Sequence, residues 1–311
     1  INTIKIYLND QLYFHYDIQE FSFNETKFIN SLIDFKEYTK NKQRIYKCYV
    51  EKNNQLSVYK ELINNGIITN IEEKSHKIKI VIEDSYKNTE KKEFVFNYKN
   101  SEKIDLVESK EIIDCNQDFK FENENLEIFI PKKSLYQDCI FSYKENNKND
   151  NHSEYTVNSS EIPLHKTFSL SIRLNKNTSN PENLIMVRLD GNDSIYVKSK
   201  LENNIIIGSP KSFGTFTLAS DEIAPTIQSV NFKYDLSNET SIKFKVFDNL
   251  SGIDKYYAEL NGEWILMEYD PKNNLLEHNF INKPVNKEHK LYIKVSDKNS
   301  NFTEKEFYFV R

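Results

Sequence analysis

Residues 76–96 read HKIKIVIEDSYKNTEKKEFVF, and residues 289–309 read HKLYIKVSDKNSNFTEKEFYF. Set 213 residues apart, the two stretches align without a gap and agree at nine positions: His76/His289, Lys77/Lys290, Ile80/Ile293, Asp84/Asp297, Asn88/Asn301, Lys92/Lys305, Glu93/Glu306, Phe94/Phe307 and Phe96/Phe309. Each is an alternating apolar run, an Asp-x-x-x-Asn turn and a second alternating run. A period of two puts one set of side chains on a core face. The Asp carboxylate accepts backbone N–H groups within such a turn, and Asn tolerates left-handed backbone. A closing β-hairpin is therefore used twice, with Asp84, Asn88, Asp297 and Asn301 read as turn residues in preference to metal ligands.

Working outward from the second copy, residues 224–311 hold seven expected strands: Ile227–Tyr234, Ser241–Phe247, Lys255–Leu260, Trp264–Tyr269, Leu275–Phe280, Lys290–Ser296 and Glu306–Val310. Asn261-Gly262 is a type I′ hairpin signal, and Asp270–Asn274 is the next turn. That strand density is immunoglobulin-like. Residues 1–100, around the first copy, hold expected strands at Ile4–Leu8, Ile45–Val50, Lys77–Ile82 and Phe94–Phe96. Within them Asn24–Phe35 is the best helical candidate, with an irregular connection as the equal alternative.

Between the copies, residues 101–223 read as strand after strand: Leu126–Ile130, Cys139–Tyr143, Thr167–Leu174, Leu184–Leu189, Ser194–Lys198, Ile205–Ile207 and Gly214–Leu218. Asp190–Asp193 is a hairpin signal, Lys144–Ser153 a solvated loop, and Asp221–Pro225 a linker. The fold class is therefore all-β, with two related immunoglobulin-like sandwiches flanking a distinct middle β domain.

Composition agrees. Nineteen Tyr and 21 Phe favour a pleated, half-buried surface. Six Gly are few for so many turns, and Asn fills the gap. A net charge of -5 argues against a nucleic-acid partner. No apolar run approaches the length of a membrane-spanning helix. The chain opens at Ile1 inside an expected strand, so it is read as a fragment, and the missing signal peptide says nothing about compartment. Cys48, Cys115 and Cys139 are read as buried thiols, with a Cys115–Cys139 pair as the alternative.

Chemistry is sparse. None of the six histidines (His15, His76, His152, His165, His278, His289) makes His-x-His, His-x-x-x-His or His-x-x-x-Asp, so no zinc site or other cofactor is expected in this chain. Nucleophile elbows and phosphate loops are missing too, and no catalytic residue is assigned. Asp248, Asn249, Ser251 and Asp254 gather oxygen-bearing side chains within seven residues, a loose calcium candidate set against a corner of Asx turns. Trp264, with Tyr256 and Tyr257, is a candidate platform for sugar rings, set against a core role for the lone Trp.

One resemblance covers essentially the whole chain. It is carried by Asp248…Ser251-Gly252-Ile253, by Asn261–Asp270 (NGEWILMEYD) and by His289…Asp297…Asn301. It continues through Ile130-Pro131, Ser134-Leu135-Tyr136, Pro163-Leu164, Phe213–Leu218 leading to Ala224-Pro225, and Phe21–Thr26. These motifs resemble the C-terminal β-sandwich region of Bacteroidetes lysostaphin-type (LytM-like) zinc metallopeptidases. The resemblance implies an exported, periplasmic or cell-envelope protein whose peptidase domain cuts peptidoglycan. That family holds its zinc through His-x-x-x-Asp and His-x-His, which this sequence lacks, so zinc is expected only in a domain upstream of Ile1. The implied role is an accessory region that spaces or docks a catalytic domain, with peptidoglycan or that domain as partner. A free-standing adhesion or carbohydrate-binding array is the alternative.

Overall fold

The computed structural model describes residues 1–99, 111–146, 153–281 and 286–311. The chain is all-β, with immunoglobulin-like β layers in tandem. By contacts it divides into two compact units. One is Ile1–Glu145 with Thr156–Ser171 and Ser209–Gly214; the other is Asn146–Tyr155 with Ile172–Gly208 and Thr215–Arg311.

The first segment builds one antiparallel sheet from β1 (Thr3–Leu8), β2 (Gln11–Asp17), β3 (Tyr59–Leu62), β4 (Ser75–Glu83) and β5 (Thr89–Asn97), in the order β3-β2-β1-β4-β5. Its apolar face is closed by the chain between β2 and β3, which contributes Phe28, Leu32, Ile33, Val50, Leu56 and Val58 to one core. The helical candidate in this stretch is helical but broken: a 3-10 segment at Phe23–Phe28, then α1 (Ile29–Leu32) and α2 (Phe35–Asn41). Glu25 accepts the Ser22 amide at the start (2.8 Å), as in a capping box. The break falls at Ile33, which is extended and bridges Tyr46. That bridge is all that forms of the expected strand Ile45–Val50. Tyr136 also enters this core, so part of the middle segment belongs to the first unit.

The middle segment comprises β6 (Ile112–Ile113), β7 (Phe119–Glu122), β8 (Leu126–Ile130), β9 (Cys139–Ile140), β10 (Tyr143–Asn146), β11 (Glu154–Val157), β12 (Ser169–Arg173), β13 (Leu184–Asp190), β14 (Asp193–Val197), β15 (Ser199–Glu202), β16 (Ile205–Gly208) and β17 (Gly214–Ser220). Its sheets run β10-β11-β17-β13-β14, β15-β16-β12-β8-β7 and β6-β9. The expected strand Cys139–Tyr143 splits because the Asn158 side chain occupies backbone groups there. Its Oδ1 accepts Ser142 N (3.0 Å), and its Nδ2 donates to Ile140 O (2.9 Å). The expected loop Lys144–Ser153 begins inside β10, and its residues 147–152, with His152, lie outside the described residues. Asp190 pairs with Asp193 to close the predicted hairpin.

The third segment is a two-sheet sandwich of β18 (Thr226–Ser229), β19 (Ser241–Phe247), β20 (Ile253–Leu260), β21 (Glu263–Trp264), β22 (Glu268–Asp270), β23 (Leu275–Asn279), β24 (Glu288–Asp297) and β25 (Phe302–Val310). The sheets run β18-β19-β23-β22 and β21-β20-β24-β25. Between them lie Ile227, Phe244, Leu276, Ile293, Val295 and Phe309, all at most 1% exposed. Strand β18 stops early because Asn231 takes over the pairing, donating to Ser241 O (2.9 Å) and accepting Lys243 N (2.9 Å).

The repeat extends beyond the hairpin that the sequence aligned. His76 faces Phe96 as His289 faces Phe309. Leu8 faces Ile78 as Leu260 faces Leu291, and Ile6 faces Ile80 as Ala258 faces Ile293. The order β2-β1-β4-β5 thus matches β21-β20-β24-β25. Burial differs. Phe94 is 47% exposed, whereas Phe307 packs against the core of the third segment, where a second sheet covers it.

Turns lean on asparagine. Among the described residues, 11 of the 16 non-glycine positions with positive φ are Asn, which answers the shortage of Gly. Asn261 (φ 55°) and Gly262 (φ 85°) form the tight turn between β20 and β21.

Candidate functional site

Among the described residues, His76, His289, His278 and His165 are held by structural contacts. In the first sheet, Asn9 Oδ1 accepts Lys77 N (3.0 Å), which fixes its Nδ2 as the donor towards His76 Nδ1 (2.9 Å). The other imidazole nitrogen must then carry the proton, and it reaches Glu72 O (2.8 Å). The third segment repeats the device: Asn261 Oδ1 accepts Lys290 N (2.9 Å), and Asn261 Nδ2 meets His289 Nδ1 (2.9 Å). Each imidazole stacks on a Phe, His76 on Phe96 and His289 on Phe309. His278 Nδ1 bonds Leu266 O at 2.8 Å.

His165 sits against Tyr136 (4.9 Å) and Phe28 (5.5 Å), with Nδ1 sealed from solvent. Burial first, then Lys166 and Lys27, lower its pKa from 6.5 to about 4. Between those values the unfolded chain binds more protons than the folded one, so stability must fall as pH falls. At about 1.4 kcal/mol per unit the ceiling is about 3 kcal/mol, and partial exposure reduces it to roughly 1–2 kcal/mol. The urea midpoint of the first unit should therefore drop from pH 7 to pH 4.5. His165→Phe should flatten that drop, and an unchanged slope in the variant would remove His165 as its cause.

The three cysteines are free thiols. Burial, helped by Asp138, pushes the Cys115 thiol up to about 11, and burial does the same for Cys139. Asp114, Cys115 and Asp138 lie close together, but Lys52 already pairs with Asp138 at 2.5 Å and holds that carboxyl down at about 2. A protonated thiol beside a neutralised carboxylate is a poor metal ligand.

The turn residues behave alike in both copies. Asp84 accepts Tyr86 N (2.8 Å), Asn88 N (3.0 Å) and Asn88 Nδ2 (2.8 Å). Asp297 accepts Asn299 N (2.9 Å), Asn301 N (2.9 Å) and Asn301 Nδ2 (2.8 Å). Only the second turn is buried, because Asn299 and Asn301 also donate to Asp221 O (2.9 Å each), pinning the linker onto it.

The calcium candidates do not converge as a loop. Asn249 and Asp254 are exposed, while Asp248 Oδ2 accepts Leu250 N (3.0 Å) and Gly252 N (2.7 Å). The oxygens that do converge belong to Asp248, Asp297 and Asp221, with ligand atoms all within 4.8 Å of one another. Asp221 is the member that sequence reasoning missed, read there only as linker.

Trp264 is 62% exposed, not in the core. The strand alternates: Met267 is 3% exposed and packs inside, whereas Trp264 and Leu266 (59% exposed) face out. Nor do the three aromatic candidates form one platform. Tyr256 shares the face of Ala258 and rests on Tyr269 (5.8 Å), while Tyr257 bonds Glu259 on the opposite face. Trp264 instead lines a cleft of about 520 Å³ with Glu263, His278, Phe280, His289 and Arg311. Arg311 lies over the Phe280 ring at 4.3 Å. A cleft lined by aromatic and apolar side chains with a few polar groups is the usual character of a small-ligand site.

Comparison with known proteins adds the following. Residues 110–221 match the model of the Zu5-like domain family. No curated protein matches the chain. Among solved structures, fibronectin(III)-like modules of Clostridium thermocellum CbhA are similar at 14% identity and a TM-score of 0.24, over 47% of this chain and 86% of theirs.

Proposed function

We propose that this chain is a non-catalytic accessory region of an exported peptidoglycan-cleaving zinc metallopeptidase, spacing or docking a catalytic domain that precedes it. The reading rests on the resemblance to lysostaphin-type enzymes described above. The observation that supports docking is the exposed Trp264 on the edge of the third sandwich's cleft. An indole face offers large, rigid apolar area to the C–H face of a sugar ring. Glu263 and Arg311 line the same cleft and offer charge for hydroxyl or carboxylate groups of a glycan strand and its peptide stems. Zinc would belong to the catalytic domain, and the partner would be peptidoglycan in the cell envelope.

The same cleft favours a second reading, a carbohydrate-binding module array with no attached peptidase. Sequencing upstream of Ile1 separates the two: His-x-x-x-Asp followed by His-x-His supports the first, and a signal peptide joined directly supports the second. Docking itself is tested by retention on purified peptidoglycan. Trp264→Ala should weaken retention by roughly tenfold or more, the usual cost of a central Trp anchor, without unfolding the chain. Retention no better than that of an unrelated sandwich domain would leave only a spacer. Zinc-dependent muropeptide cleavage by this chain alone would overturn the non-catalytic assignment.

A further inference from the structure

Asp221, Asp248 and Asp297 reach one point from three places: the linker after β17, the corner after β19 and the turn between β24 and β25. Asp221 is 1% exposed and Asp297 2%. Three carboxylates this close, two of them this dry, repel one another strongly. No ion pair reaches any of the three among the described residues, and Lys298 nearby is spent on Ser251 O (2.9 Å) and the Tyr196 ring (4.9 Å).

A second observation concerns unused oxygen atoms. Both carboxylate oxygens of Asp221 and Oδ1 of Asp248 are sealed from solvent without a hydrogen bond of ordinary geometry. The Ser251 hydroxyl, in a residue 1% exposed, also lacks such a bond, although it and the Ser251 amide lie close enough to Asp221 to offset part of the burial that raises that carboxyl. Buried polar atoms are nearly always partnered, so four in one place point to a missing ligand. The carboxylate oxygens directed at that point are acceptors only, and the Ser251 oxygen can accept as well, so the set suits a cation.

We propose that Asp221, Asp248, Asp297 and the Ser251 hydroxyl form a calcium-binding site. The donor set is all oxygen, which selects a hard cation over zinc or copper. Three negative charges call for at least a divalent ion. Magnesium demands near-ideal octahedral geometry and keeps several waters, whereas calcium accepts irregular oxygen cages. These donors come from three separate elements in a buried setting, which suits calcium. Gly252 (φ +81°) lets the corner fold back so that its N–H and that of Leu250 hold Asp248 Oδ2, leaving Oδ1 for the ion. The related Asp84 turn is exposed at Ser85–Asn88 and keeps its own local hydrogen bonds, so it serves as a control.

The test compares the full chain in EDTA, in calcium and in magnesium by thermal unfolding, with metal content measured after dialysis. One calcium per chain is expected, with the transition of the second unit rising by roughly 5–10 °C at a hundredfold excess over Kd. Asp221→Asn should abolish that rise while leaving the EDTA transition equal or higher, because it removes repulsion. Asp84→Asn should keep the full rise. Should Asp221→Asn fail to fold, Ser251→Ala takes its place and should weaken calcium binding roughly tenfold. Equal transitions in calcium and EDTA with no bound metal would overturn the site, as would an undiminished rise in Asp221→Asn. An equal effect of magnesium would overturn the assignment to calcium.

Discussion

Tyr136→Ala should cost the first unit about 3–5 kcal/mol, the range for truncating a large buried aromatic. Tyr136 is 1% exposed and belongs to the core that includes Ile4, Phe14, Phe28 and Leu32, although it comes from the middle segment. Its ring meets Phe28 edge-on at 6.3 Å and His165 at 4.9 Å, and its hydroxyl donates to Lys27 O. Burial, and then the Glu51 carboxylate, push its phenol above the usual range, so it stays a neutral donor. Removing the ring opens a cavity where the 3-10 segment and α1 close over the sheet. Tyr136→Phe keeps the volume and loses one hydrogen bond, so it should cost only about 1–2 kcal/mol. Denaturant unfolding gives the magnitudes, and hydrogen exchange at Phe28–Leu32 localises them to the first unit. An alanine variant within about 1 kcal/mol of the parent would show that the core does not depend on this insertion.

How much of this could be read from sequence depended on the range of the interactions involved. The closing hairpins were legible because Asp84-to-Asn88 and Asp297-to-Asn301 are local devices, complete within a few residues. The tight turn at Asn261-Gly262 was legible for the same reason. The Asn9–His76 and Asn261–His289 bonds were not, although all four residues are visible in the sequence. The two pairs are separated by 67 and 28 residues, so no single alignment offset brings them into register. That extra length in the first copy is the excursion that closes its core, in the place where the third segment has a second sheet. Strands whose pairing is taken over by side chains, as by Asn158 and Asn231, were read too long because alternation does not show which backbone groups are already engaged. At the sites the limit was different. Asp221 has no local pattern, and only folding brings it to Asp248 and Asp297. Residue type favours a core place for the lone Trp264, but its position beside a two-residue turn on the edge strand β21 puts it outside.

Glu51→Ala should be the other large loss, again about 3–5 kcal/mol. Glu51 is 5% exposed, an unusual place for a carboxylate, and it survives there because both oxygens are engaged. Lys47 Nζ meets Oε1 at 2.5 Å, and Ser31 Oγ donates to Oε2 at 2.5 Å. Ser31 lies in α1 and is fully buried, while Lys47 is four residues before Glu51 in the stretch that failed to become a strand. The carboxylate thus ties the short helix to an irregular segment that has little backbone pairing of its own. Truncation leaves a buried hydroxyl and a mostly buried ammonium without their acceptor, and it is that orphaning, more than the lost attraction, that destabilises. Glu51→Gln keeps an acceptor for Ser31 and should cost less. A Lys47→Met, Glu51→Leu double variant removes both charges together and should recover the part of the loss due to Lys47, leaving only the Ser31 hydroxyl without its acceptor. A double-mutant cycle by urea unfolding measures this directly. If the double variant is no more stable than Glu51→Ala, the loss comes from packing at Glu51, and the orphaned Lys47 charge is not its cause.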